Sequence, residues 1–145
     1  MSGYDIRALA DRAEITDLFV SLGRCLDEHD FDALTDVLTE DVVGTTPGGT
    51  QEGRDALIAQ ARANHQDYDR LTHQFNSILV DVQGDTGTVR AYVTGSFGHA
   101  ASPLPERVLT GLYRNKVVRT GAGWRISELT VEPKFRIERG TVVAE

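Results

Sequence analysis

The chain has 145 residues, of which 40% are hydrophobic and 26% charged, and a net charge of −7 at neutral pH. This fits one globular domain with a real buried core. With Lys116 and Lys134 the only lysines, and no Lys/Arg cluster to offset the acidic balance, a nucleic-acid footprint is excluded. No apolar run has the length of a membrane span, and the N-terminus lacks a basic-then-oily leader. The expectation is a cytoplasmic protein with no membrane partner. A single cysteine, Cys25, excludes an internal disulfide framework and falls within a helical pattern as a small buried hydrophobe.

Residues 5–28 carry apolar side chains at helical spacing: Ile6, Leu9, Ala13, Leu18, Phe19, Leu22 and Leu26. One inward row runs Ile15, Phe19, Gly23, and its next member is Asp27. A second short amphipathic stretch presents Phe31, Leu34, Val37 and Leu38. Residues 41–45 read as a short strand, 46–50 as a turn and 51–53 as a brief return, before a third helix over 54–64 with Ala56, Leu57 and Ala61 on one side. From Thr72 the chain turns β-rich, with strands expected at 73–82, 86–99, 107–119 and 124–136. Gln83-Gly84-Asp85 and the run 120–123 are hairpin signals. Helices first and long antiparallel strands second predict a single α+β domain over residues 1–145, its helices covering one face of a curved sheet.

Strand alternation groups His73, Phe75, Ser77 and Leu79 on one face of the first long strand. On the second it groups Val89, Ala91, Val93, Gly95, Phe97 and His99. Each row carries one histidine at its end, as the helical row carries Asp27. A carboxylate buried without a partner is costly, so Asp27, His73 and His99 are expected to meet in one apolar pocket as an acid/base site. No metal is expected, because these residues form no tight ligand motif. The glycine-containing run 44–53 lacks the Lys-Ser/Thr of a phosphate cradle, and no serine sits in a nucleophile elbow. Trp124 and Tyr113 are expected in the sheet core or at a subunit contact.

Several runs taken together resemble a known family. They are Ala13-Glu-Ile-Thr-Asp-Leu-Phe19, Cys25-Leu-Asp-Glu-His-Asp-Phe-Asp-Ala-Leu34, Leu38-Thr-Glu-Asp-Val42, Gly53-Arg-Asp-Ala-Leu57, Val82-Gln-Gly-Asp-Thr-Gly-Thr-Val89, Gly111-Leu-Tyr-Arg-Asn-Lys-Val-Val-Arg119 and Gly123-Trp-Arg-Ile126. In their order and spacing the chain resembles the SnoaL-like branch of the nuclear transport factor 2-like superfamily. That superfamily includes scytalone dehydratase, bile-acid dehydratase, ketosteroid isomerase and polyketide cyclases. The resemblance implies a cone: a strongly bent, mostly antiparallel sheet wrapped around helices, with a deep pocket at its mouth. It matches Asp27 to the family's helix acid, and His73 and His99 to histidines on successive strands. Leu26 stands where the family often has a tyrosine, and Ser77, beside Asn76, where it often has an asparagine.

The implied activity is cofactor-free acid/base chemistry on a small hydroxy-carbonyl, polyketide-like or steroid-like substrate, as dehydratase, cyclase or isomerase. An imidazole titrates near neutrality and serves as base or acid, with His73 the expected base and Asp27 its orienting partner. The competing reading is a non-catalytic small-molecule-binding or partner-binding module, since fold does not fix function. Val108, Leu112, Val117 and Val131 are expected to leave one sheet face short of cover. This predicts a homodimer, with a homotrimer as the alternative.

Overall fold

The computed structural model describes residues 5–139. Helix α1 (Ile6–Asp27) opens where the Asp5 carboxylate accepts a hydrogen bond from the Ala8 amide at 2.7 Å, an N-cap that satisfies one otherwise orphaned donor. Its buried residues include Ile15, Phe19 and Gly23, the row read from the sequence. The next segment, read as an amphipathic helix, is a single short 3₁₀ helix (Phe31–Asp36) that buries Phe31 and Leu34. Then follow β1 (Leu38–Thr46), β2 (Gly49–Glu52), helix α2 (Arg54–His65), β3 (Arg70–Gln83), β4 (Thr86–Gly98), β5 (Arg107–Thr120) and β6 (Gly123–Glu138). Gly84 and Gly123 take positive φ of 65° and 118° in the two hairpin turns, a backbone state that glycine adopts without strain.

The strands form one sheet in the order β2-β1-β6-β5-β4-β3. Neighbours are antiparallel except β1 and β6, which run parallel. The sheet is strongly curved, and the helices pack into it. Ile15, Phe19, Leu34, Val42, Trp124 and Ile126 are among the most buried side chains of the core between them. Among the described residues no helix is long and apolar enough to cross a membrane.

Irregularities in the ladders decide which residues face inward. In β3 the register shifts between Asn76 and Leu79, and Ser77 has φ of 52°. An inserted residue reverses the alternation beyond it. His73 and Phe75 therefore belong to the inner face, but the row does not continue through Ser77 to Leu79. Ile78, Val80 and Val82 pack on the core instead, and Leu79 is 63% exposed.

The expected bare apolar face also needs correction. Val117 is buried against the core, and Val131 packs on it, because both share the inward parity of Tyr113. Leu112 lies between its cross-strand neighbours Tyr92 and Glu132 and is buried. Leu79, Tyr92, Phe135 and Ile137 are exposed apolar groups of the outer face, with Ile137 paired across from the half-buried Val108.

Candidate active site

Asp27 is the last residue of α1, and His73 lies near the start of β3. Gly23, one turn before Asp27, lets the two elements meet. A Cβ at that position would lie 3.2 Å from the His73 carbonyl oxygen and 3.6 Å from its Cβ. The missing side chain brings helix and strand close enough for the carboxylate to reach the histidine twice. Oδ2 accepts the His73 backbone N–H at 3.0 Å, and Oδ1 pairs with Nδ1 at 2.6 Å. Gly95, directly across from His73 on β4, leaves the ring its room, since a Cβ there would stand 3.4 Å from Cδ2 and from Nε2.

The pair has a defined electrical sense. A carboxylate accepts, so Nδ1 carries the proton and Nε2 holds the lone pair. The His73 side chain is 5% exposed, and that of Asp27 25%.

A second imidazole stands beside the first. His65, the last residue of α2, lies 5.1 Å from the His73 ring, centroid to centroid, and 5.4 Å from Phe97, which is also 5.4 Å from His73. Its Nδ1 lies 2.6 Å from the Ala61 carbonyl, so this ring too carries its proton on Nδ1 and keeps Nε2 as an acceptor. Burial holds its pKa down to about 4, although the bond to Ala61 works the other way, so it is neutral at physiological pH. The sequence reading missed it. The signal was present, because His65 continues the row Leu57, Ala61 by four residues, one place beyond the expected helix end.

His99 is not brought to this pair. β4 ends at Gly98, and His99 sits in the following turn, where its side chain is 44% exposed. It lies 3.1 Å from Glu106 and 3.8 Å from Asp69, stacked at 5.5 Å on Tyr68. Tyr68 touches Phe97, so two aromatic rings separate His99 from His73. Strand alternation places a side chain correctly only while the strand lasts.

The concave face holds further polar groups, Tyr113 and Asn115 of β5 among them. Tyr113 on β5 meets Phe75 edge-on at 5.1 Å, and Phe75 in turn meets Phe19 of α1 at 5.8 Å. Among the described residues, the side-chain atoms both buried and without a hydrogen bond are Thr39 Oγ1, Arg54 Nε, Thr110 Oγ1 and Asn115 Oδ1. Nε2 of His73, Nε2 of His65 and Oη of Tyr113 are not in that set, and no hydrogen bond to them occurs among the described residues. They open on space that water can enter. Two surface grooves lie elsewhere, one beside Trp124 along α1 and one on the outer sheet face, and neither is lined by Asp27 or His73. Among the described residues no group of three or more His, Cys, Asp or Glu side chains is arranged to hold a metal ion.

The SnoaL-like domain family matches residues 7–130. The chain belongs to that family. An NTF2-like protein with a cystatin-like fold from Novosphingobium aromaticivorans is 28% identical, with a TM-score of 0.73 over 90% of each chain. A scytalone dehydratase-like structure from the same species is 19% identical at a TM-score of 0.80, covering 90% of this chain and 88% of that one. The hexachlorocyclohexane dehydrochlorinase LinA-type3 of Novosphingobium barchaimii LL02 is 18% identical at 0.78, covering 91% and 92%. These last two likenesses are of fold. Among curated proteins none matches the chain.

Proposed function

We propose that the chain is a cofactor-independent lyase that removes a proton from carbon, with His73 as the base and Asp27 as the group that orients and charges it. The observation that carries this reading is the doubly bonded Asp27–His73 pair, which leaves Nε2 free among aromatic rings. Such a base takes a proton from carbon, and the imidazolium so formed is stabilised by the carboxylate at 2.6 Å. If the neighbouring carbon bears a hydroxyl, the same Nε2–H returns the proton to the departing oxygen, and water and an alkene result. Loss of water and loss of HCl, the chemistries named for the two structural relatives above, share this first step. We take a dehydratase acting on a small hydroxy-carbonyl compound as the form of this activity. Cyclisation and isomerisation begin with the same proton transfer.

The test is turnover against a panel of β-hydroxy ketones, together with exchange of the α-proton in deuterium oxide. His73→Ala and Asp27→Ala are each expected to lower the rate by roughly two orders of magnitude or more. Unchanged turnover in either variant removes that residue from the mechanism. Ligand binding with no turnover in the wild-type chain establishes the binding-module reading instead.

We further propose a homodimer formed through the outer sheet face, where Phe135 and Ile137 are 76% and 58% exposed and Val108 pairs across from Ile137. A trimer is the alternative assembly, and light scattering distinguishes the two.

A further inference from the structure

His65 is the enclosed titratable group that the proton transfer leaves unused, and it lies outside the positions that the family resemblance assigns. Three rings surround it: His73 at 5.1 Å and Phe97 at 5.4 Å, centre to centre, and Phe31 at 6.5 Å. Its chemistry is fixed from behind. Nδ1 gives its proton to the Ala61 carbonyl at 2.6 Å, which leaves Nε2 with a lone pair and nothing to donate. Burial holds off a second proton down to about pH 4, so the ring keeps this one state at physiological pH. Nε2 is not among the buried unpartnered atoms, and no hydrogen bond to it occurs among the described residues. The end of α2 thus sets an acceptor without a donor beside the proposed base. Water can fill that place, and so can a hydroxyl carried by a ligand.

We infer that His65 Nε2 accepts a hydrogen bond from the hydroxyl that leaves, and that this acceptor selects β-hydroxy carbonyl compounds over their halogen counterparts. The inference rests on the proposed role of His73 as base. With the ring centres 5.1 Å apart, a substrate whose α-carbon meets His73 carries its β-substituent within reach of His65. As His73 Nε2 takes the α-proton, the C–H electron pair becomes the new C=C bond and the carbonyl π pair moves onto oxygen. When the carbonyl re-forms, the bond from the β-carbon to its hydroxyl breaks with its pair on the departing oxygen. That oxygen takes the proton from His73, while its own hydrogen stays on it and points at His65 Nε2 throughout. The products are the unsaturated carbonyl compound and water, with no co-reactant, and His65 ends in the protonation state in which it began. A halogen on the same carbon offers His65 only lone pairs. The place that holds an O–H therefore disfavours the halide.

The probes are 4-hydroxy-4-phenylbutan-2-one and its 4-fluoro analogue, which has nearly the same shape, no donor, and the same unsaturated ketone as its elimination product. In ¹⁵N-histidine-labelled protein the hydroxy compound is expected to move the Nε2 resonance of His65. The fluoro compound should leave that resonance in place. His65→Phe keeps a ring against Phe97 and removes the acceptor. It is expected to cut the preference for the hydroxy compound, read as the ratio of the two kcat/KM values, by roughly three- to tenfold, the range of one hydrogen bond. A His65 resonance that the hydroxy compound leaves unmoved, an equal shift with the fluoro compound, or an unchanged ratio in His65→Phe overturns the inference. Exchange of the α-proton into deuterium oxide by His73→Ala at the wild-type rate sinks the base instead. The His65 resonance then still decides whether the hydroxyl docks there.

Discussion

Helix α1 carries a carboxylate near each end, and the two are finished differently. Near its start, Asp11 accepts two hydrogen bonds from Arg119, at 2.8 and 2.9 Å, and a third from Trp124 Nε1 at 3.1 Å. Arg119 also reaches Asp85 and lies 4.6 Å over the Trp124 ring, and Glu14 accepts the Trp124 backbone N–H. At the other end, Asp27 binds His73 as closely but leaves Nε2 open. The first cluster uses its donors to tie α1, the β5–β6 hairpin and the β3–β4 turn together. The second keeps one atom in reserve, which is what chemistry requires and stability does not.

The comparison predicts that damage at the two ends reads out differently. The largest effect is expected for His73→Ala: about a hundredfold or greater loss of turnover with little change in melting temperature. A melting loss as large as that of the Asp11 variant would place His73 in the structural class. Asp11→Ala should do the reverse. It strands Trp124 Nε1, which belongs to a fully buried side chain, at about 1–3 kcal/mol of stability. Turnover per folded molecule should persist. Trp124 is the sole tryptophan, so its fluorescence reports the melt directly.

Acid separates the ends further. The Arg119 guanidinium and the Trp124 N–H hold Asp11 down to about 2, below its unfolded value of 3.8. Its contribution is therefore complete above about pH 4 and is lost as pH falls toward 2. His65 acts in a higher window. Burial keeps it neutral to about pH 4, whereas in the unfolded chain it takes a proton near 6.5. Between those values the unfolded state binds the extra proton, so stability falls as pH drops from 6.5 to 4. His65→Phe should flatten the curve in that window and leave the lower one unchanged, and melts at half-unit pH steps would show it. The smallest effect is expected for Phe135→Asp on the outer face. Light scattering should show monomers in place of dimers, with His73 chemistry intact, and a dimer that survives the change points to another surface.

The same contrast explains what was legible beforehand. Asp27 stood out because it interrupts an apolar row in a long helix, and twenty-two residues of regular α1 keep that row in phase. His73 was placed correctly because it precedes the irregularity at Ser77, whereas the Leu79 assignment failed because it follows it. His99 failed for a related reason: one residue past a strand end, alternation no longer applies. His65 was missed at a helix end assigned one residue short. The clamp of Asp11, Arg119 and Trp124 joins positions more than a hundred residues apart, and no local pattern announces it.

Local periodicity and turn chemistry were enough to establish a helix-then-strand α+β domain, and the ordered runs of residues were enough to identify its family. They also singled out one acid and two histidines, because a polar residue in an apolar row is visible at the spacing of a single element, and of these the structure joins Asp27 to His73 and leaves His99 apart. Tertiary structure alone decided that Gly23 brings α1 onto β3, that a second neutral imidazole stands beside the first, and that Tyr113 opens on the same concave face. Those facts depend on a bulge, a strand end and the curvature of a sheet. Each shifts a side chain by one position or a few ångströms, and that is the scale on which a proton is either passed or not.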